Sequence, residues 1–183
     1  MHRKQFIASA MAAIPAAAFA NKLPRFLKDK KPFKVDADLG KDGKKMFFGK
    51  TNLNNIKISR HDTDNQVSFF EYVGYEKIGP ALHIHLNQDE VFYVVDGRYR
   101  FVVGDQTMEL KAGETIFLPR GIAHTWIQLS DRGRMVYYVT PAGKMEDFFI
   151  YLSNLKAPPT PQEMDKIHAD HDMKVVGPPL TLS

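Results

Sequence analysis

Residues 83–97 read HIHLNQDEVFYVVDG, and the way this stretch folds decides the architecture of the rest. His83 and His85 are two apart, so on an extended strand both rings leave the same face. Asn87-Gln88-Asp89 is turn chemistry. Glu90 follows at the start of the next strand, where Phe92–Val95 is β-branched and aromatic. Taken alone, the H-x-H pair reads more readily as two residues of an exposed strand than as metal ligands. What lies downstream changes that reading.

Asp96-Gly97 is a strong two-residue hairpin signal, and it predicts that Phe92–Val95 pairs with Tyr99–Val103, with Val95 opposite Arg98. Gly104-Asp105 predicts a second hairpin into Gln106–Lys111. Side-chain alternation then places Glu90, Phe92, Val94, Tyr99, Phe101 and Val103 on one face, continued by Gln106, Met108 and Leu110. Val91, Tyr93, Val95, Arg98, Arg100 and Glu109 fall on the other, with Arg100 directly opposite Glu109. The first face is apolar apart from Glu90 and Gln106, so it is the interior. A carboxylate there needs a partner, a proton or a metal, because an unpaired buried charge costs several kcal/mol. On the second face the stripe Val91, Tyr93, Val95 requires cover from the N-terminal arm, the C-terminal helices or a second subunit, and a homodimer is the expectation.

Gln66–Val73, Thr115–Leu118, His124–Leu129 and Met135–Thr140 add further short strands between Gly- and Pro-containing turns. The fold class is therefore all-β, an antiparallel barrel or sandwich. Residues 144–155 have helical spacing with Phe148, Leu152 and Leu155 on one face. Thr160-Pro161-Gln162-Glu163 is a capping box with proline at the first helical position, predicting a helix over 161–170. Met173–Leu182 is extended. The expected division is a leader over 1–20, an arm over 21–45, the β-domain over 46–143 and a C-terminal extension over 144–183 that packs on it.

The chain has 183 residues, 44% hydrophobic and 25% charged, with a formal net charge of +4 and no cysteine. One domain with a substantial core fits this length. The absence of cysteine excludes disulfides, thiolate metal sites and a cysteine nucleophile. No basic stripe is interleaved with aromatics, so no nucleic-acid partner is expected. His2-Arg3-Lys4, the alanine-rich apolar run Phe6–Phe19 and Ala18-Phe19-Ala20 fit a secretory signal peptide. Export by a Sec or Tat-like route to the periplasm or outside the cell follows as the expectation. The run is too short for a stable membrane anchor.

The second histidine context is GETIFLPRGIAHTWIQ, residues 113–128, which puts His124 after a tight Pro119-Arg120-Gly121 turn. Two imidazoles, a carboxylate and a further imidazole converging inside a β-domain make a transition-metal site with open coordination positions. The pattern is H-x-H, four residues, Glu, six residues, Gly. It is followed by Gly, five residues, Pro-x-Gly, two residues, His. These spacings resemble the two signature motifs of the cupin family over roughly residues 66–140. Two departures stand: Gly79 is only four residues before His83, and Gln128 stands where the second motif often closes in asparagine. The segments PALHIHLNQDEVFYVVDG, YYVTPAGKMEDFF and VVGPPL further resemble single-domain quercetinase-like cupins.

The resemblance implies a small two-sheet cupin-type β-barrel, a jelly roll, with one divalent transition metal ion held by His83, His85, Glu90 and His124. Iron, manganese, nickel, cobalt, copper and zinc all suit such ligands. It implies an exported metal-dependent dioxygenase acting on a flavonol-like or other enolic aromatic small molecule, with Glu90 as ligand or catalytic base. Two alternatives stay open: a non-redox, isomerase-type cupin metalloenzyme, and a metal-dependent small-molecule-binding cupin without turnover. Phe92, Phe101, Met108, Trp126 and Gln128 are candidates for lining a substrate pocket, with core packing as the competing role. His168 and His171, beside Asp170 and Asp172, read as a solvated helix end.

Overall fold

Alternation of apolar and polar residues dominates the described chain, and it resolves into two stacked antiparallel sheets. The computed structural model describes residues 30–182; the expected leader over 1–20 lies outside them. In chain order the strands are β1 (Phe47–Phe48), β2 (Asn52–Ile58), β3 (Ser68–Gly74), β4 (Ala81–His85), β5 (Asp89–Asp96) and β6 (Arg98–Val103). They continue as β7 (Gln106–Lys111), β8 (Thr115–Leu118), β9 (His124–Gln128) and β10 (Gly133–Thr140). Two helices follow, α1 (Met145–Ser153) and α2 (Pro161–Asp170), and then β11 (Met173–Pro179). One sheet has the order β1-β2-β3-β10-β5-β8 and the other β11-β4-β9-β6-β7.

The architecture is a jelly-roll β-sandwich. The expected barrel closure is a correction, because the sheets are not joined edge to edge. Asp96-Gly97 gives a second correction. The dipeptide turns the chain as its chemistry requires, with Gly97 at φ 87°, but β5 and β6 enter different sheets and do not pair. Val95 therefore does not face Arg98 across a ladder. Instead Arg98 N donates to Ser130 Oγ at 3.0 Å and Leu129 N donates to Arg98 O at 2.9 Å, which anchors the corner to the β9–β10 turn. The assignment of inward faces survives, since β5 and β6 present their apolar sides to each other from opposite layers. Gly104-Asp105 is the two-residue hairpin expected, pairing Val103 with Gln106 and Arg100 with Glu109. Gln106, expected inward, is exposed at the end of that hairpin.

Between the layers Phe70, Phe92, Val94, Tyr99, Phe101 and Leu118 are almost fully buried, each large side chain contributing about 2–3 kcal/mol of transfer free energy. Tyr137 stacks between Phe70 and Phe92, with ring centroids 4.9 and 4.7 Å away. On the outer face of the first sheet, Lys57 Nζ donates to Asp36 O (2.8 Å) and Leu39 O (2.9 Å) and pairs with Glu71 (3.0 Å). These bonds tie the arm across β2 and β3. Farther along the same sheet Tyr93, Val95 and Phe117 remain 44%, 43% and 57% exposed.

The C-terminal helices are held to the sandwich by specific bonds. Buried Glu146 accepts from Ser59 Oγ at 2.8 Å and also from Arg60 N and Ser68 Oγ. Arg60 grips Asp147 through two bonds of 2.7 and 3.0 Å. The capping box of α2 is present with both reciprocal bonds. β11 then pairs with β4, placing Met173 opposite His85 and Val175 opposite His83. No helix among the described residues is long and apolar enough to cross a membrane.

Candidate metal centre

Alternation on β4 sends His83 and His85 inward together. On the neighbouring strand His124 stands in register with His83. Glu90 comes from β5 in the facing sheet, so three imidazoles of one layer meet a carboxylate of the other. All four are buried, and their ligand atoms lie within 4.8 Å of one another. Glu90 Oε2 is 3.6 Å from His85 Nε2 and 3.4 Å from His124 Nε2, and the Nε2 atoms of His83 and His85 are 3.2 Å apart.

Two further contacts bring the motifs together. Gly121 N donates to His85 O at 2.8 Å, docking the Pro119-Arg120-Gly121 turn on the end of β4. Arg120 holds Asp89, next to Glu90, through Nε (3.0 Å) and a terminal nitrogen (2.7 Å). The two departures from the motif also acquire a structural role. A Cβ on Gly79 would lie 1.6 Å from Trp126 O, so β9 packs directly on that backbone. Gln128 donates to Gly74 O and Ser130 O and is fully buried.

The donor chemistry fits a metal. His83 Nδ1 donates to Ala81 O (2.8 Å) and His124 Nδ1 to Ile122 O (3.0 Å). A carbonyl only accepts, so these rings carry their proton on Nδ1 and leave a lone pair on the Nε2 that points into the cluster. Burial, reinforced by the neighbouring imidazoles, pushes His83 and His85 down to about 3; both are neutral and free to ligate near neutrality. His124 Nε2 is buried and makes no hydrogen bond, which is the state of a donor awaiting an acceptor such as a cation. Donor spacings within 4.8 Å suit bonds of about 2.0–2.3 Å to a shared ion.

The cluster opens into a cavity of about 320 Å³ that His83 and Glu90 help to line. Phe92 and Trp126, expected in a pocket, line it. Phe101, Met108 and Gln128 do not: Phe101 is fully buried in the core, Met108 is packed against that core at the β6–β7 hairpin, and Gln128 serves the Gly74 backbone. The sequence reading missed the far wall, built by Met145, Phe148, Phe149 and Leu152 of α1 with Met164 and His168 of α2. His168 corrects an expectation, since it is only 7% exposed and faces the cavity rather than solvent. Its Nδ1 donates to Met164 O at 2.8 Å, and burial lowers its pKa. The spacing of Met164, Ile167 and His168 marks a buried helix face and could have revealed it.

A two-layer jelly roll enclosing three histidines and a glutamate defines the class: a β-sandwich built around an internal His/Glu cluster that could hold a metal ion. Residues 70–141 match the family model described as a cupin domain. It is 35% identical over 54 residues to an uncharacterized protein of Streptomyces coelicolor, covering 30% of this chain and 51% of that one. It is 33% identical over 57 residues to the acetate kinase EutQ of Clostridioides difficile, covering 31% and 36%. The chain thus spans about half the length of the first of these relatives and about a third of the second. Among solved structures it is similar to an RmlC-like cupin from Shewanella frigidimarina, with 20% identity, TM-score 0.49, and coverage of 57% of this chain and 87% of that one.

Proposed function

We propose that the protein is an exported, metal-dependent dioxygenase of the quercetinase-like kind, acting on a flavonol-like or other enolic aromatic molecule. The observation that carries this reading is the opening of the buried His83/His85/Glu90/His124 cluster into a cavity walled by aromatic and aliphatic side chains. Its lining contains no lysine, arginine or aspartate. A sugar or keto-acid substrate would demand such groups, which favours the flat aromatic over the isomerase-type alternative.

A divalent transition metal held by these four residues would supply Lewis acidity and redox capacity. The remaining work falls to the protein. Phe92 and Trp126 orient a planar ring and, with the α1 side chains, exclude water. Glu90 takes the proton of the substrate hydroxyl onto its carboxylate, and its burial between the sheets strengthens that interaction. The same reading includes a homodimer through the exposed Tyr93, Val95 and Phe117, checked by light scattering.

The test is elemental analysis of the mature protein beside His83→Ala, followed by oxygen uptake with flavonols. About one transition metal per chain, lost in the variant, with oxygen consumed by the loaded protein, is the expected result. Metal binding without oxygen uptake on any enolic aromatic would sink the dioxygenase reading, and no metal after reconstitution would sink the metal centre as well.

A further inference from the structure

His168 is the one polar group that the C-terminal helices contribute to an otherwise apolar far wall. It lies outside residues 70–141, the part of the chain matching the cupin model. Its ring rests on Phe148, with centroids 4.9 Å apart, and its Nδ1 is committed to the Met164 carbonyl. That bond fixes both the ring orientation and the tautomer, so Nε2 carries the lone pair and acts as an acceptor. Its ring centroid is 6.3 Å from that of His83, and His168 is not part of the four-residue ligand cluster.

We propose that His168 is a specificity-determining residue whose Nε2 accepts a hydrogen bond from a ligand hydroxyl, while a neighbouring oxygen of the same aromatic ring sits at the His/Glu cluster. The ligand class is then a flat aromatic with oxygen substituents on adjacent carbons, at least one of them a free hydroxyl. The geometry supports this scale. Rings whose centroids are 6.3 Å apart suit oxygens on adjacent carbons, one at the cluster and the other bonding Nε2 at about 2.8 Å, better than oxygens on opposite sides of an aromatic ring. Apart from Glu90 of the cluster, the cavity lining holds no charged side chain to compete for the hydroxyl. The inference rests on the aromatic-ligand reading above and narrows it.

The test is anaerobic binding to the metal-loaded protein, using 2,3-dihydroxynaphthalene and its dimethyl ether as probes. The quantity read is the ratio of their affinities. Capping the hydroxyls also alters their contact with the metal, so the decisive observation is how the ratio changes on substitution. His168→Phe is expected to shrink the ratio about three- to tenfold, the weight of one neutral hydrogen bond, mainly by weakening the diol. His168→Gln, whose amide oxygen also accepts, is expected to recover much of it. A ratio unchanged in His168→Phe, or no saturable binding of either probe by the unmodified protein, overturns the proposal. Melting temperature reports folding of both variants separately. Because no turnover is involved, failure of the dioxygenase reading leaves a positive result standing. An oxygen-consuming protein whose ratio ignores His168 refutes this inference alone.

Discussion

His83 and His124 face each other as the register pair joining β4 to β9, with ring centroids 4.6 Å apart. The neighbouring β6–β9 ladder runs through five register pairs from Tyr99–Gln128 to Val103–His124. The seam between β4 and β9 is thus short on backbone pairing and is spanned by the candidate ligands themselves. A bound cation would brace it from inside.

Metal removal should therefore act locally before it acts globally. Chelation is expected to lower the melting temperature, because stability loses about 3–4 kcal/mol of binding free energy where the metal had been present at several hundred times its dissociation constant. Amide exchange should accelerate first in β4 and in β11, which pairs with it. Exchange that rises uniformly over both sheets would contradict this seam model.

Glu90→Gln keeps the volume and removes the charge. Three imidazoles remain, so metal is expected to be retained with weakened affinity. Turnover should fall by about 10²–10⁴-fold, the usual contribution of a positioned base. Parallel metal analysis and rate measurement separate the two roles: loss of metal in proportion to rate would make Glu90 a ligand only.

Acid should destabilise the metal-free protein through its histidines. His83 and His85 stay neutral in the fold down to about pH 3, chiefly because burial disfavours the charged ring, whereas their ordinary value is 6.5. Between those limits the unfolded chain binds protons that the folded chain refuses, so stability falls as pH drops below about 6.5. Above it these two groups contribute no slope. Each adds at most about 1.4 kcal/mol per pH unit. Urea midpoints taken from pH 7 to pH 5 should decline, and replacing both rings by leucine should flatten the decline; an equal slope in the double variant would refute the assignment.

Gly79→Ala should be costly out of proportion to one methyl group. The added Cβ would meet Trp126 O at 1.6 Å and its carbonyl carbon at 2.7 Å, both backbone atoms of β9. Relief requires moving the strand that carries His124. A loss of about 3 kcal/mol or more is expected, together with weakened metal binding. Denaturant midpoints and metal titration check both, and a change under 1 kcal/mol would show that the β3–β4 connection yields instead.

Much of this was legible in the residues themselves. Strand alternation and the short turn Asn87-Gln88-Asp89 bring His83, His85 and Glu90 towards one space, while their assignment as ligands together with His124 came from the resemblance to the cupin motifs. Helix α2 was legible because capping is local chemistry, satisfied by Thr160 and Glu163 alone. The inward face of β5 to β7 was legible because alternation is indifferent to which strand lies alongside.

Whatever depended on partners distant in sequence was decided only by tertiary structure. Asp96-Gly97 dictates a sharp reversal, but whether it closes a hairpin or turns a corner depends on what β5 and β6 bury, and each found its neighbours in a different sheet. Phe92 and Phe101 share an inward face, yet only Phe92 lines the cavity, and Phe101 packs against Phe92 and Trp126 with ring centroids 5.3 and 6.5 Å away. His168 looked like a solvated helix end by composition. It became part of the cavity wall because Glu146, Arg60 and β11 dock the C-terminal segment onto the sandwich. Local chemistry sets turns, caps and alternation within a few residues, while the walls of a cavity are set by which surfaces the whole chain must remove from water.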